Sequence, residues 1–183
     1  MKEEFKELLE EYTIHLEEKH VLNFWKMRRR FPHEFHTHSP SIEVINSYDG
    51  ESNQKGMFDS EGYLEYSKIL DYYEKGHTLI ISNVFDLTEE LRMLEAAMSD
   101  SFAFYPVRGN FYMSKEGRGG LKSHDHPQYD VYVKQIYGTC HWVLNETEDV
   151  ILPPGDVLYI PKGTKHYVKS TDGPRLSLTI NML

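Results

Sequence analysis

Three histidines carry the most pointed chemistry in this chain: His124 and His126, flanking Asp125, and His166 further on. Each half of the set lies in a strand-like stretch punctuated by Gly or Pro, Ser123–Val133 and Pro154–His166. Along a strand, residues i and i+2 share a face, so His124 and His126 can address one metal ion. A third imidazole from a neighbouring strand completes a facial set and leaves coordination positions open for substrate or oxygen. The expectation is a reactive metal ion inside a small β-barrel. His33, His36 and His38 also have metal-like spacing, but their Pro-flanked segment has no partner motif and reads as a surface loop.

Composition bounds the class. With 183 residues and 39% hydrophobic content, the chain can bury one substantial core, and 13% aromatic residues argue against disorder. One cysteine, Cys140, excludes an internal disulfide and fits a reducing compartment. The N-terminus lacks the apolar stretch of a signal peptide and no run approaches a membrane span, so a cytoplasmic protein without membrane contact is expected. A net charge of −9 argues against nucleic acid as a partner. The basic run Lys26-Met27-Arg28-Arg29-Arg30 reads as a solvated face that offsets the acidic N-terminus.

The elements that must position the histidines fall into two textures. Phe5, Leu8, Leu9, Tyr12 and Leu16 recur at helical spacing and predict one amphipathic helix over roughly the first twenty residues. Residues 41–46 alternate like an edge strand before the Asp49-Gly50 turn. Ser60 is placed to cap a helix that turns Tyr63, Tyr66, Ile69, Leu70 and Tyr73 inward and closes at Gly76. Residues 78–82 read as a buried strand, and 88–98 as a helix with Asp86 and Glu89 at capping-box spacing. From Ser101 onward, short β-branched and aromatic runs alternate with Gly and Pro: 101–105, 110–114, 128–137, 140–145, 157–160, 165–169 and 176–181. The expected fold is mainly β with N-terminal helices. It is one domain, 1–183, with a helical front layer and edge strands (1–100) covering a barrel core (101–183).

Gly155, Pro161, Gly163 and His166 reproduce the second motif of the cupins, with Ser170 where that motif has Asn. His124, His126, Asp130 and Gly138 match the first motif more loosely. The resemblance implies a double-stranded β-helix, or jelly-roll, barrel. Within the cupins, Gly76–Ile81, the helix at 88–98 and Gly109–Ser114 resemble the JmjC-type oxygenases. The block from Asp130 to Trp142 and the stretch Leu152–Pro161 are similar to those of the ribosomal-oxygenase branch, which hydroxylates protein side chains with Fe(II), oxygen and 2-oxoglutarate. The resemblance covers roughly residues 70 to 183. The C-terminal dimerisation and winged-helix regions of larger members are expected to be absent, since the chain ends at Leu183.

Two departures from that pattern bear on function. The family has H-x-D, with the aspartate as ligand, where this chain has His126; three imidazoles leave the metal one negative charge short. Asp130 is the candidate to restore that charge. The register gives its place to Val131 unless a bulge intervenes, for which Pro127 offers an occasion. Cys140 stands where the resemblance implies a Lys or Arg paired with the far carboxylate of 2-oxoglutarate, and a thiol cannot supply a cationic hydrogen bond. Tyr112 or Lys134 could stand in, although Lys134 should face out of the barrel. Asn181 resembles a pocket-lining position, so Tyr112, Cys140 and Asn181 are the candidate cofactor residues. Trp142 and Tyr159 read as core or pocket wall, and Gly117-Arg118-Gly119-Gly120 as a mobile loop over the mouth.

The expectation is therefore an Fe(II)-dependent oxygenase, with 2-oxoglutarate as a possible co-substrate. Its substrate would be a small molecule, a peptide or a protein side chain, and a homodimer is possible. The alternatives are a three-histidine oxygenase that needs no 2-oxoglutarate, and a non-catalytic metal- or small-molecule-binding cupin. Other divalent metals fit imidazole ligands as well.

Overall fold

A computed structural model describes residues 2–28, 42–47, 49–51, 54–102, 107–115, 117 and 120–182, without the side chains of 24–28, 54–55 and 107. His33, His36, His38 and the end of the basic run at Arg29-Arg30 lie outside the described residues.

The expected first helix is two. Helix α1 (Lys2–Glu11) buries Phe5 and Leu9, and α2 follows at Glu18–Arg28. Thr13, Ile14 and His15, weak helix formers, occupy the break. Leaving the helix there lets Ile14 (7% exposed) and Leu16 (9%) both reach the core. The next expected helix also starts later. Asp59 Oδ1 accepts from the amides of Glu61 and Tyr63, both at 2.9 Å, which builds a turn around Ser60 instead of a helix cap. Helix α3 runs Tyr66–Glu74, so Tyr63 is outside it, and the chain leaves through Gly76 at φ 80°. Helix α4 (Glu89–Ser101) is capped by Thr88, whose Oγ1 accepts from Leu91 N at 3.2 Å, and not by the Asp86 box. It takes in Ser101, which overturns the start of the strand expected at 101–105; residues 103–106 are not described.

Seven described strands form one antiparallel sheet: β1 (Ile42–Ile45), β2 (Thr78–Ser82), β3 (Val107–Ser114), β4 (Asp130–Leu144), β5 (Glu148–Leu152), β6 (Val157–Ile160) and β7 (His166–Met182). Their order is β1-β2-β3-β7-β4-β5, with β6 also pairing β4. β5 is an addition to the sequence reading, because Glu148 and Asp149 disguise it as loop. Two pairs of expected strands are single long strands, β4 and β7, bent instead of broken. Bulges in their pairing fall at Gln135/Tyr137, Tyr137/Thr139 and His141/Trp142. Gly138 permits the second of these: its φ is 71°, and a Cβ there would run into the Pro174 carbonyl oxygen and Arg175 Cα.

Alternation gives the sheet two buried faces. On one, Ile42, Val44, Leu79, Ile81, Phe111, Met113, Tyr132, Leu176, Leu178 and Ile180 join Phe5, Leu9, Leu91 and Leu94 in the main core beneath the helices. On the other, a row crosses four strands in register, Glu43 to Ile80 to Tyr112 to Ser177, and a second runs Ser82 to Asn110 to Thr179 to Val133. These residues line a cavity of about 250 Å³. A smaller apolar cluster that includes Val131, Val133, Trp142 and Val168 supplies the rest of that wall.

Candidate metal centre

Backbone pairing assembles the three histidines. His124 and His166 exchange both main-chain hydrogen bonds, His166 N to His124 O at 2.8 Å and His124 N to His166 O at 3.2 Å. Residues paired in this way put their side chains next to each other on one face. Gly163 N donates to His126 O at 2.9 Å and draws the third ring in. The ring centroids are 4.5 Å apart for His124–His166, 5.1 Å for His124–His126 and 5.2 Å for His126–His166. One ligand nitrogen from each of the three rings lies within 4.8 Å of the other two.

The hydrogen bonds at the back of each ring decide which nitrogen is available. His124 Nδ1 lies 2.8 Å from the Lys122 carbonyl oxygen, and His166 Nδ1 lies 2.8 Å from that of Thr164. A carbonyl only accepts, so both Nδ1 atoms carry the proton and both Nε2 lone pairs are left for a metal. His126 Nδ1 is 3.0 Å from the Tyr129 hydroxyl, whose ring stacks on it at 4.8 Å. Protonation is disfavoured as well. Burial first, and then the other two imidazoles, push His126 down to about 4, and burial lowers His166. Three oriented imidazoles on one cavity wall fit a divalent metal. A further feature suits a ligand beside it. Trp142 packs against His166 at 6.1 Å between ring centroids, and its indole N–H is buried with no hydrogen-bond partner among the described residues.

Asp130 is not brought together with the three histidines. Its Oδ1 accepts from Lys162 N at 2.9 Å and its Oδ2 pairs with Lys2 at 3.0 Å. It shares the parity of Tyr132, on the face under α1, and lies outside the histidine cluster. The bulges that could have turned it inward occur later, from Gln135 onward. Tyr159 belongs to the same outer face, packed on Tyr132 at 4.9 Å and bonded to Lys2.

The three cofactor candidates separate. Tyr112 and Asn181 line the cavity. Burial pushes the Tyr112 hydroxyl up to about 12, so it is a neutral donor. Cys140 is fully buried behind the wall with Val131, Val133 and Leu152. Lys134 does face out of the barrel, but into protein: it is 3% exposed under α1, donating to Leu9 O. Gly117 O accepts from Thr171 N at 2.8 Å, so that end of the glycine stretch is tied to β7, while residues 118–119 are not described.

The residue that sequence reasoning missed is Arg175. It is 1% exposed, lines the cavity, and donates from Nε to Ser114 Oγ at 3.1 Å and from Nη1 to Ser177 Oγ at 3.4 Å. Its Nη1 is also 3.7 Å from Cys140 Sγ. The available signal was a polar alternation, Arg175, Ser177, Thr179 and Asn181, along one face of β7.

A family model described as a JmjC domain matches residues 144–183. The chain is 25% identical to mouse (Mus musculus) ribosomal oxygenase 2, over 77% of this chain and 34% of that protein. It is 25% identical to a bifunctional lysine-specific demethylase and histidyl-hydroxylase of Branchiostoma floridae, over 75% of this chain and 22% of that protein. Two structures of the Escherichia coli ribosomal oxygenase YcfD superpose with TM-scores of 0.61 and 0.63 at 19% and 18% identity. Each match covers 94% of this chain and 45% of that one. The chain thus spans about a third or less of the curated relatives it matches. The likeness to these solved structures shows the fold, a cupin barrel of the JmjC type.

Proposed function

We propose that this protein is a metal-dependent oxygenase of the JmjC type in which His124, His126 and His166 hold Fe(II). The observation that carries the reading is the convergence of three imidazoles, two of which, His124 and His166, have their Nε2 lone pairs freed by backbone carbonyls behind them. A bound Fe(II) with open coordination positions would supply oxygen activation. The chain's own part is to orient the ligands and dehydrate the cavity. Tyr129 fixes the His126 ring, Trp142 and Val168 keep water from His166, and Tyr112, Asn110 and Thr179 offer polar contacts to a bound organic acid. The substrate is a small molecule, a peptide or a protein side chain. 2-Oxoglutarate is the co-substrate, in keeping with the relatives' class.

The test is an anaerobic titration. Purified protein is loaded with Fe(II), 2-oxoglutarate is added, and the metal-to-ligand charge-transfer absorption and succinate release on aeration are followed. One Fe(II) per chain and a band that saturates with 2-oxoglutarate are expected. Absence of stoichiometric metal would sink the oxygenase reading.

A second reading has one observation in its favour. With Asp130 engaged by Lys2 and Lys162, the ligand set is three neutral imidazoles, which suits an oxygenase that takes an anionic substrate directly on the metal. Bound metal without the 2-oxoglutarate band, together with oxygen uptake on small acids, is the result it requires.

A further inference from the structure

Asp130 stands outside the histidine cluster, yet its carboxylate holds a turn that touches two of the three histidines. That turn follows β6. Ile160 still pairs with Val131, and the next position in that register would set Pro161 against Asp130. Proline has no N–H to continue the ladder, so regular pairing stops there. The chain then turns over residues 161–164. Thr164 N donates to Pro161 O at 3.1 Å and closes the turn, with Gly163 at φ 76° in the third position, as in a type II turn. The closing bond uses neither central amide, and both find partners elsewhere. Gly163 N donates to His126 O at 2.9 Å. Lys162 N donates to Asp130 Oδ1, also at 2.9 Å.

One turn thereby serves two rings. Gly163 N holds the backbone of His126, and Thr164 O, at the end of the same turn, lies 2.8 Å from His166 Nδ1 and orients that ring. Both contacts depend on where the turn sits relative to β4, and the Asp130 carboxylate is the side chain that ties the two together. A charged acceptor makes this the stronger kind of hydrogen bond. Its second oxygen, Oδ2, pairs with Lys2 of α1 at 3.0 Å. The Lys2 side chain is 57% exposed, so the ion pair by itself adds little. What it does is hold the carboxylate in one rotamer, since Lys2 is itself fastened to the Tyr159 hydroxyl.

We propose that Asp130 is a positioning residue of the metal centre. Through the Lys162 amide it holds the 161–164 turn, and through that turn it sets His126 and His166 beside each other. This role rests on the metal reading given above. Hydrogen-bond partners directly behind metal ligands are commonly worth about ten- to a hundredfold in metal affinity. Asp130 acts one contact further back, so the lower end of that range applies. Its loss loosens two ligands together and removes neither.

The probe is Co(II) alone, whose visible absorption reports the arrangement of its ligands. It is titrated into the full chain as wild type, D130A, D130N and K162P, and urea midpoints of the metal-free proteins are measured alongside. D130A should weaken Co(II) binding by about tenfold and alter the band. D130N keeps an oxygen acceptor and should restore the wild-type band, with an affinity within about threefold of wild type. K162P deletes the same hydrogen bond from the donor side, at a turn position that suits proline, and should reproduce the D130A loss. The double variant D130A/K162P should lose no more than either single one. Wild-type affinity and band in folded D130A or K162P overturn the proposal, as do additive losses in the double variant. D130N as weak as D130A also overturns it, because the charge and not the hydrogen bond would then matter. Lower urea midpoints with unchanged Co(II) affinity would be a merely structural role, and overturn it too. K162P keeps the test intact should D130A not fold. Stoichiometric Co(II) in wild type with unaffected variants overturns the positioning role alone, whereas no Co(II) bound by wild type overturns the metal centre and this role with it.

Discussion

Strand β7 passes between two environments, and the two sides of it are built from different chemistry. Leu176, Leu178 and Ile180, all fully buried, face the helices. Arg175, Ser177 and Thr179, at 1%, 0% and 7% exposure, face the cavity. Both sides are out of water, yet only the first is a core in the energetic sense, where apolar area removed from water stabilises the fold. The second buries groups that prefer water and holds them through a serine network and backbone partners. The difference teaches that stability and binding are carried on opposite parities of the same strands. Substitutions one residue apart should therefore affect one and spare the other.

The largest effect should come from the cavity side. H166A removes a proposed ligand, oriented by Thr164 O, and should cut metal retention by more than ~100-fold, beyond the usual cost of losing an outer partner. Metal content after dialysis reads this directly, and stoichiometric metal in the variant would break the comparison at its strongest point. On the other parity, F111A empties a fully buried site beneath the helices and should cost about 3–5 kcal/mol in urea unfolding. Its folded fraction should still hold one metal per chain. Loss of metal there would mean that the two faces are coupled through β3.

Acid offers a third handle, on the metal-free protein. His126 is held down to about 4 and His166 is also lowered, both chiefly by burial. As pH falls below the ordinary imidazole value of about 6.5, the unfolded chain takes up protons that the folded one refuses. The stability these rings leave intact is therefore full above about 6.5 and is lost progressively towards pH 4. Urea midpoints across that window should fall with acid in wild type and fall less in H126A. A flat profile would mean that the rings are already solvated, which would erase the contrast between a dehydrated cavity wall and an open surface.

What could be read from the sequence was set by local pattern. His124, His126 and His166 stood out because spacing, Gly155, Pro161 and Gly163 act within a few residues of one another. The alternation of β7 was equally plain, but parity separates two faces without saying which one is wet. Arg175 escaped notice because its partner, Cys140, is 35 residues away and meaningful only once β4 and β7 pair. Asp130 went the other way. Deciding its face required knowing whether a bulge lay before it, and the bulges depend on how Gly138 and Pro174 meet across strands. The division of the first helix had a local cause in Thr13-Ile14-His15, but a tertiary reward, two extra apolar side chains in the core, decided it. Local rules located the chemistry, and inter-strand contacts decided which residues take part in it.

The finest test exchanges one atom. Tyr112 is the neighbour of Phe111 in β3 and points the opposite way, so Y112F keeps the ring and deletes only the hydroxyl that lines the cavity. That group is neutral at working pH, because burial holds it up at about 12, so no charge is lost. Removing a buried hydroxyl with no bound ligand should change stability by no more than about 1 kcal/mol. If the hydroxyl donates to a bound acid, one neutral hydrogen bond is lost and affinity for 2-oxoglutarate should drop about fivefold in Mn(II)-loaded protein. Unchanged affinity in Y112F would make the row Glu43–Ile80–Tyr112–Ser177 a wall instead of a site.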